Sequence, residues 1–115
     1  MSGGIVDVLQ FAIDGVDQQI NATANDLANQ DTPDYSATNV SFAQSLQQAI
    51  GASGLATASV TTSRSTAAPN AEGNNVDFSD ELISSEKEAL EYQQLSESLN
   101  AQFRLIRGVV GGGWQ

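Results

Sequence analysis

The side chains able to do chemistry in this chain are almost all carboxylates. Of 115 residues, 14 are Asp or Glu, 4 are Lys or Arg, and none is His or Cys. Without histidine the usual general base and the commonest metal ligand are missing. Without cysteine there is neither a disulfide framework nor a Cys-based metal site. What is left is acid–base work by paired carboxylates, for which Asp80 with Glu81 and Glu86 with Glu88 are the candidates. Side chains one or two positions apart diverge on a helix, so these pairs read as a solvated face. Asp26, Asp31 and Asp34 lack the spacing and the glycine of an EF-hand loop. Asn21-Ala22-Thr23 and Asn39-Val40-Ser41 match the glycosylation sequon, a pattern that chance supplies readily, and the first falls inside a helical stretch. No catalytic residue, cofactor or metal is expected.

The same imbalance gives a net charge of −10, with Arg64 the only basic residue before Lys87. That argues against nucleic acid or an anionic membrane as a partner, because phosphate binding needs clustered Lys and Arg. It suits a solvated, self-repelling surface that keeps a monomer soluble. Nothing points to a small-molecule substrate. No run of about 18 apolar residues is present, so no segment is expected to span a membrane. The opening M-S-G-G-I-V-D-V-L has no basic stretch before an apolar core, so a cleaved secretory signal is not expected.

The elements that must position these residues are helical. Over about 4–29, Val6, Ile13, Ile20 and Leu27 form one apolar row at heptad spacing, and Leu9, Val16 and Thr23 form the other. Such a seam belongs to a coiled coil or helix bundle. Gly15 interrupts it at a cost of about 1 kcal/mol relative to Ala. Over about 77–107 a second long helix is expected, capped by Asp77, with Asp80 and Glu81 in its first turn, Arg104 and Arg107 in its last, and Gly108 as a stop. Its stripe is wide: Leu82, Ala89, Tyr92, Leu95, Leu99, Phe103 and Ile106, flanked by Ile83, Leu90 and Leu105. A flexible tail ending in Trp114 follows.

Between the helices the chain turns sharply. Asn29 tolerates a helix C-terminus, Thr32 is biased out of the α region by Pro33, and Tyr35 stands just beyond as an anchor. With Asp34 after the proline, a type I turn is the more comfortable geometry. A short helix over 41–50 is expected, with Ser41 and Gln44 as a capping box and Phe42, Leu46, Ala49 and Ile50 on one face. From 51 to 75 the sequence is nearly all small or polar, with Leu55 and Val60 its only large apolar residues; an extended or mobile linker is expected, with a weak strand signal at 58–62. Gly73-Asn74-Asn75 reads as a turn before Val76 and the Asp77 cap. The fold class expected is therefore all-α: a coiled-coil-like hairpin of long N- and C-terminal helices with a short helix and a flexible centre. Residues 1–30 supply the first helix, 31–76 the turn, short helix and linker, and 77–115 the second helix and tail.

The stretch A-N-D-L-A-N-Q-D-T-P-D-Y over 24–35 resembles the signature of bacterial flagellar rod and hook subunits, A-N-x-x-T-P-G-Y behind an A-x-N-L-like helix end. The match falls on Asn25, Leu27, Ala28, Asn29, Thr32, Pro33 and Tyr35, with Asp34 where the family usually has Gly. Gly73, Asn74, Asn75, Val76 and Asp77 resemble the G-N-N-V-D element of proximal rod subunits of the FlgB type, and Tyr92, Gln93, Leu95 and Phe103 stand where that type shows its Y-Q-x-L run and late Phe. The resemblance implies a structural subunit exported uncleaved by the flagellar type III apparatus. It implies a helical tube in the periplasm that surrounds the export channel and transmits torque. Its partners would be copies of itself, other rod subunits, the basal-body membrane ring and rod–ring adaptor proteins. Leu9, Ile13, Val16, Ile20, Leu27, Leu82, Tyr92, Leu95, Leu99, Phe103 and Ile106 are the expected assembly interface, because the second stripe is wider than one partner helix can cover. A soluble acidic coiled-coil adaptor or chaperone-like module would share the heptads but has no need of either motif.

Overall fold

The N-terminal heptads form helix α1, Ser2–Ala28, and the C-terminal stripe forms α3, Phe78–Val110. A computed structural model describes residues 2–51 and 58–110. Leu55, the 111–115 tail and its Trp114 lie outside the described residues. Between the long helices come strand β1, Thr38–Val40, helix α2, Phe42–Ile50, and strand β2, Thr62–Arg64. The two strands pair antiparallel, with Asn39 opposite Ser63. The chain is thus mostly helical, as the periodicity requires, with a small two-stranded ribbon beside the hairpin.

Two helix ends differ from expectation. α3 runs through Gly108, which keeps a helical backbone; the only glycine with positive φ among the described residues is Gly73. A glycine stops a helix by adopting the left-handed conformation, and without that it is merely a weak helical residue. Ser41 precedes α2 without making a side-chain cap, so the capping box with Gln44 does not form. Its hydroxyl is engaged with the Thr61 side chain at 2.8 Å and receives the Thr61 N–H at 3.0 Å, which ties α2 to the segment leading into β2. The buried face of α2 is Phe42, Ser45 and Ala49, while Ile50 stays 66% exposed.

The core is small. Ala12, Val16 and Phe42 form its centre, and Ile20, Val40, Leu46, Val60 and Leu95 pack around them. Phe42 lies against Gly15, where a Cβ would overlap the ring. The mid-helix glycine is therefore a seat for an aromatic whose burial contributes on the order of 1.5–3 kcal/mol, more than the roughly 1 kcal/mol it costs the helix. The molecule measures 66 × 29 × 14 Å. A helix with its side chains is about 10–12 Å across, so a body this thin encloses few positions. Leu82, Ile83, Leu90, Tyr92, Phe103 and Leu105 of α3 are between 40% and 65% exposed.

Candidate functional site

The C-terminal end of α1 leaves carbonyl groups that no helical turn can satisfy. Asn29 begins the correction: its N–H reaches Asn25 O at 3.2 Å, its side chain donates to the same carbonyl at 2.8 Å, and its Oδ1 accepts from Thr32 Oγ1 at 3.0 Å. Pro33 then sends the chain into Asp34, whose φ is 60°. The type I expectation is thus overturned: Asp34 adopts the left-handed conformation that glycine would take there, and Asp is one of the few non-glycine residues that tolerate it. Tyr35 turns back onto α1, donating its hydroxyl to Asp26 at 2.9 Å and accepting from Asn25 at 3.1 Å.

The 70–76 segment closes over this turn. The Asn74 side chain, 3% exposed, donates to Asn29 O and to Thr32 O, both at 2.8 Å, and its Oδ1 accepts from Val76 N–H at 2.8 Å. Asp34 N–H donates to Glu72 O at 2.9 Å. Asn75 accepts from Ala37 N–H at 2.7 Å and donates to Ser65 O and Ala67 O, both at 3.1 Å. Gly73, at φ +80°, lies so close to Asp34 that a Cβ would overlap its carboxylate. Asp77 then caps α3, its Oδ1 accepting from Asp80 N–H at 3.1 Å. The two motifs, one at each end of the middle region, are a single hydrogen-bonded clasp that fixes the end of α1 to the start of α3. The 58–75 stretch, expected to be an extended linker, is folded onto this clasp because its asparagines satisfy backbone groups that a small apolar residue could not.

A row of acidic groups continues from the clasp along the α1–α3 seam. Asp26 is 1% exposed, and its carboxylate accepts the Tyr35 hydroxyl and the Thr38 N–H, the latter at 3.1 Å to each oxygen. Glu81 is pushed up to about 7 by burial first, then by the Asp26 carboxylate beside it, with Glu88 and Asp80 adding to the effect. Glu88, 8% exposed, accepts from Thr23 Oγ1 at 3.1 Å and is raised above its ordinary value chiefly by burial. Burial, followed by Asp26, also raises the Tyr35 phenol. The Arg64 guanidinium stacks 5.4 Å from the Tyr35 ring centre and donates to Ser36 O at 3.0 Å.

Of the residues expected to matter, the clasp gathers Asn25, Asn29, Thr32, Tyr35, Gly73, Asn74 and Asn75. Pro33 is exposed in the turn and Ala28 is exposed at the end of α1, while Leu27 and Val76 are half-buried. Val16 is fully buried in the chain's own core and Leu95 packs against it. Leu9, Ile13, Ile20, Leu99 and Ile106 are half-buried, and Leu82, Tyr92 and Phe103 are exposed. Asp26, Arg64 and Asn70 also belong to the site, Asn70 Oδ1 accepting the Glu72 and Asn74 N–H groups at 2.9 and 3.0 Å, and Glu88 enters it as a buried acceptor instead of as half of an acid–base pair. One signal was available: a carboxylate in the last turn of a helix opposes the macrodipole, which calls for donors elsewhere.

No family model matches the chain. It is 29% identical to the flagellar basal body rod protein FlgB of Bacillus subtilis in an alignment of 124 residues that covers 96% of this chain and 95% of that protein. The likeness to FlgB-type rod proteins therefore extends across both helices and the clasp between them.

Proposed function

We propose that this chain is a structural subunit of the proximal rod of the bacterial flagellar basal body, without catalytic activity, and that it assembles with copies of itself and other rod subunits into a helical tube. The clasp is the observation that carries this reading. The two strings on which the family resemblance rests meet in one site, with Asn74 bonded to carbonyls 42 and 45 residues away. A clasp that joins the end of α1 to the start of α3 sets how the two long helices lie together, and so which apolar faces they offer. The exposed side chains of α3 require cover, and neighbouring subunits supply it through Leu82, Tyr92 and Phe103, with the half-buried Leu9, Ile13, Leu27, Leu99 and Ile106 at the margin.

A heterologous contact that does not close on itself repeats into a helical filament. Close-packed helices have low compressibility and transmit strain, which suits a shaft that carries torque around an export channel. In this reading the subunit leaves through the flagellar type III apparatus and occupies the periplasmic part of the basal body, in contact with the membrane ring and rod–ring adaptors. No helix among the described residues is long and apolar enough to cross a membrane. The test is a strain lacking this chain: basal bodies isolated from it should have no completed rod and the cells should not swim, with both restored by the full chain. Complete rods and normal swimming in the deletion strain would overturn the assignment.

A further inference from the structure

A polar cavity of about 220 Å³ lies between α1, β1 and α3, with Thr23, Thr38, Asn39, Glu81, Ser84 and Glu88 in its walls. Glu81 and Glu88 are two helical turns apart and share a face of α3. Glu88 is 8% exposed; Thr23 satisfies one carboxylate oxygen, and the other is buried without any hydrogen-bond donor. A buried, unpartnered carboxylate oxygen is costly unless a donor arrives from outside. Burial is the first cause of the upward displacement of both glutamates, with neighbouring carboxylates adding to it and Lys87 only partly offsetting it at Glu88. Among the described residues no group of three or more acidic side chains is placed to hold a metal ion. A guanidinium fits better: its fork of N–H groups can meet carboxylate, amide and hydroxyl oxygens together.

The chain carries such groups at the far end of α3. Arg104 and Arg107 are exposed there, beyond an acidic stretch that holds Asp77, Asp80, Glu81, Glu86, Glu88, Glu91 and Glu97 against Lys87 alone. Between 16 and 26 positions separate them from the two glutamates, about 24–39 Å at 1.5 Å per residue, so one helix cannot deliver its own arginines to its own cavity. Charge segregated in this way along a rod favours a second copy displaced along the axis.

We propose that the cavity bounded by Glu81 and Glu88 receives the guanidinium of Arg104 or Arg107 from an adjacent copy of this chain. The contact rests on the rod reading and would supply one of its repeating, non-closing interfaces. The absence of native cysteine allows a clean test. Purified full-length Ser84→Cys, which marks the cavity, is mixed with purified Asn100→Cys, one turn from Arg104, and oxidised. The mixed disulfide should dominate over self-crosslinking of either chain. Glu88→Gln in the first chain, or Arg104→Gln with Arg107→Gln in the second, should lower its yield about tenfold or more, as expected for the loss of a desolvated charge pair. Glu88→Gln removes an unpaired charge, so it should raise the melting temperature of the free chain, which separates lost recognition from lost folding. Mixed crosslinking no greater than self-crosslinking, or a yield indifferent to these substitutions, overturns the proposal. Restored swimming by the Arg104→Gln, Arg107→Gln chain in the deletion strain would overturn the contact and leave the rod assignment standing.

Discussion

Asn74 caps the end of a helix through a carbonyl 45 residues before it. Its two N–H groups cover Asn29 O and Thr32 O, and its oxygen holds Val76 N–H, so the side chain is saturated in a nearly buried position. Asn74→Ala removes three bonds and leaves their partners short of donors or acceptors. Leaving such groups unsatisfied costs about 1–3 kcal/mol, and the urea midpoint followed by circular dichroism should fall accordingly. The facing pair Asp34 and Gly73 should respond in opposite ways. Gly73→Ala forces a Cβ into a left-handed residue at about 1–2 kcal/mol and also against the Asp34 carboxylate, so it should destabilise clearly. Asp34→Gly relieves comparable strain at φ 60° while adding about 0.5–1 kcal/mol of backbone entropy cost, so the same midpoint should move little. Equal losses from both would contradict the backbone conformations assigned to the turn.

At the level of elements, the seam between α1 and α3 is held by apolar contacts at its centre and burdened by acids near the clasp. The folded chain raises Glu81 from 4.5 to about 7, so between those values it retains a proton that the unfolded chain has released. Stability therefore declines as pH rises through that window and is restored on acidification, the reverse of the usual salt-bridged carboxylate. Unfolding midpoints at pH 5 and pH 8 should show this slope, and Glu81→Gln should flatten much of it; an unchanged slope would remove Glu81 as its source. How much of this was legible follows from the range of each interaction. The heptads announce both long helices because their apolar period is local, and Asp77 announces the start of α3 for the same reason. β1 and β2 are three residues each, mostly polar, and exist through pairing across more than 20 positions; the weak strand signal at 58–62 meets β2 only at Thr62, and no local period marks β1. Asn74 and Asn75 read as turn residues, and only the arrival of α1's end shows what their side chains are for. Gly15 reads as a weakness in a helix, and only the position of Phe42 against it gives the reason for it.

For the whole molecule the deciding fact is thickness. A body 14 Å deep and 66 Å long buries only Ala12, Val16, Ala37, Phe42 and Ala49 among its described apolar residues, all but two of them alanine. Such a core supports marginal stability, and in the proposed rod neighbouring subunits would supply most of the burial that two helices of this length can offer. This makes substitutions on the two sides of the hairpin separable. Leu90 and Ile83 are 62% and 65% exposed, so Leu90→Asp or Ile83→Asp changes little within one chain and should leave its far-UV circular dichroism unaltered. In the proposed rod either change would bury an unpaired carboxylate, a cost large enough to block incorporation. Ile20→Asp and Leu95→Asp fall on the core itself, so they should lower helicity as well as assembly. Electron microscopy of basal bodies, read beside circular dichroism of each purified variant, distinguishes the two classes. If Leu90→Asp and Ile83→Asp chains enter complete rods at normal levels, the exposed stripe of α3 is not an assembly surface, and the reason for its width must lie elsewhere.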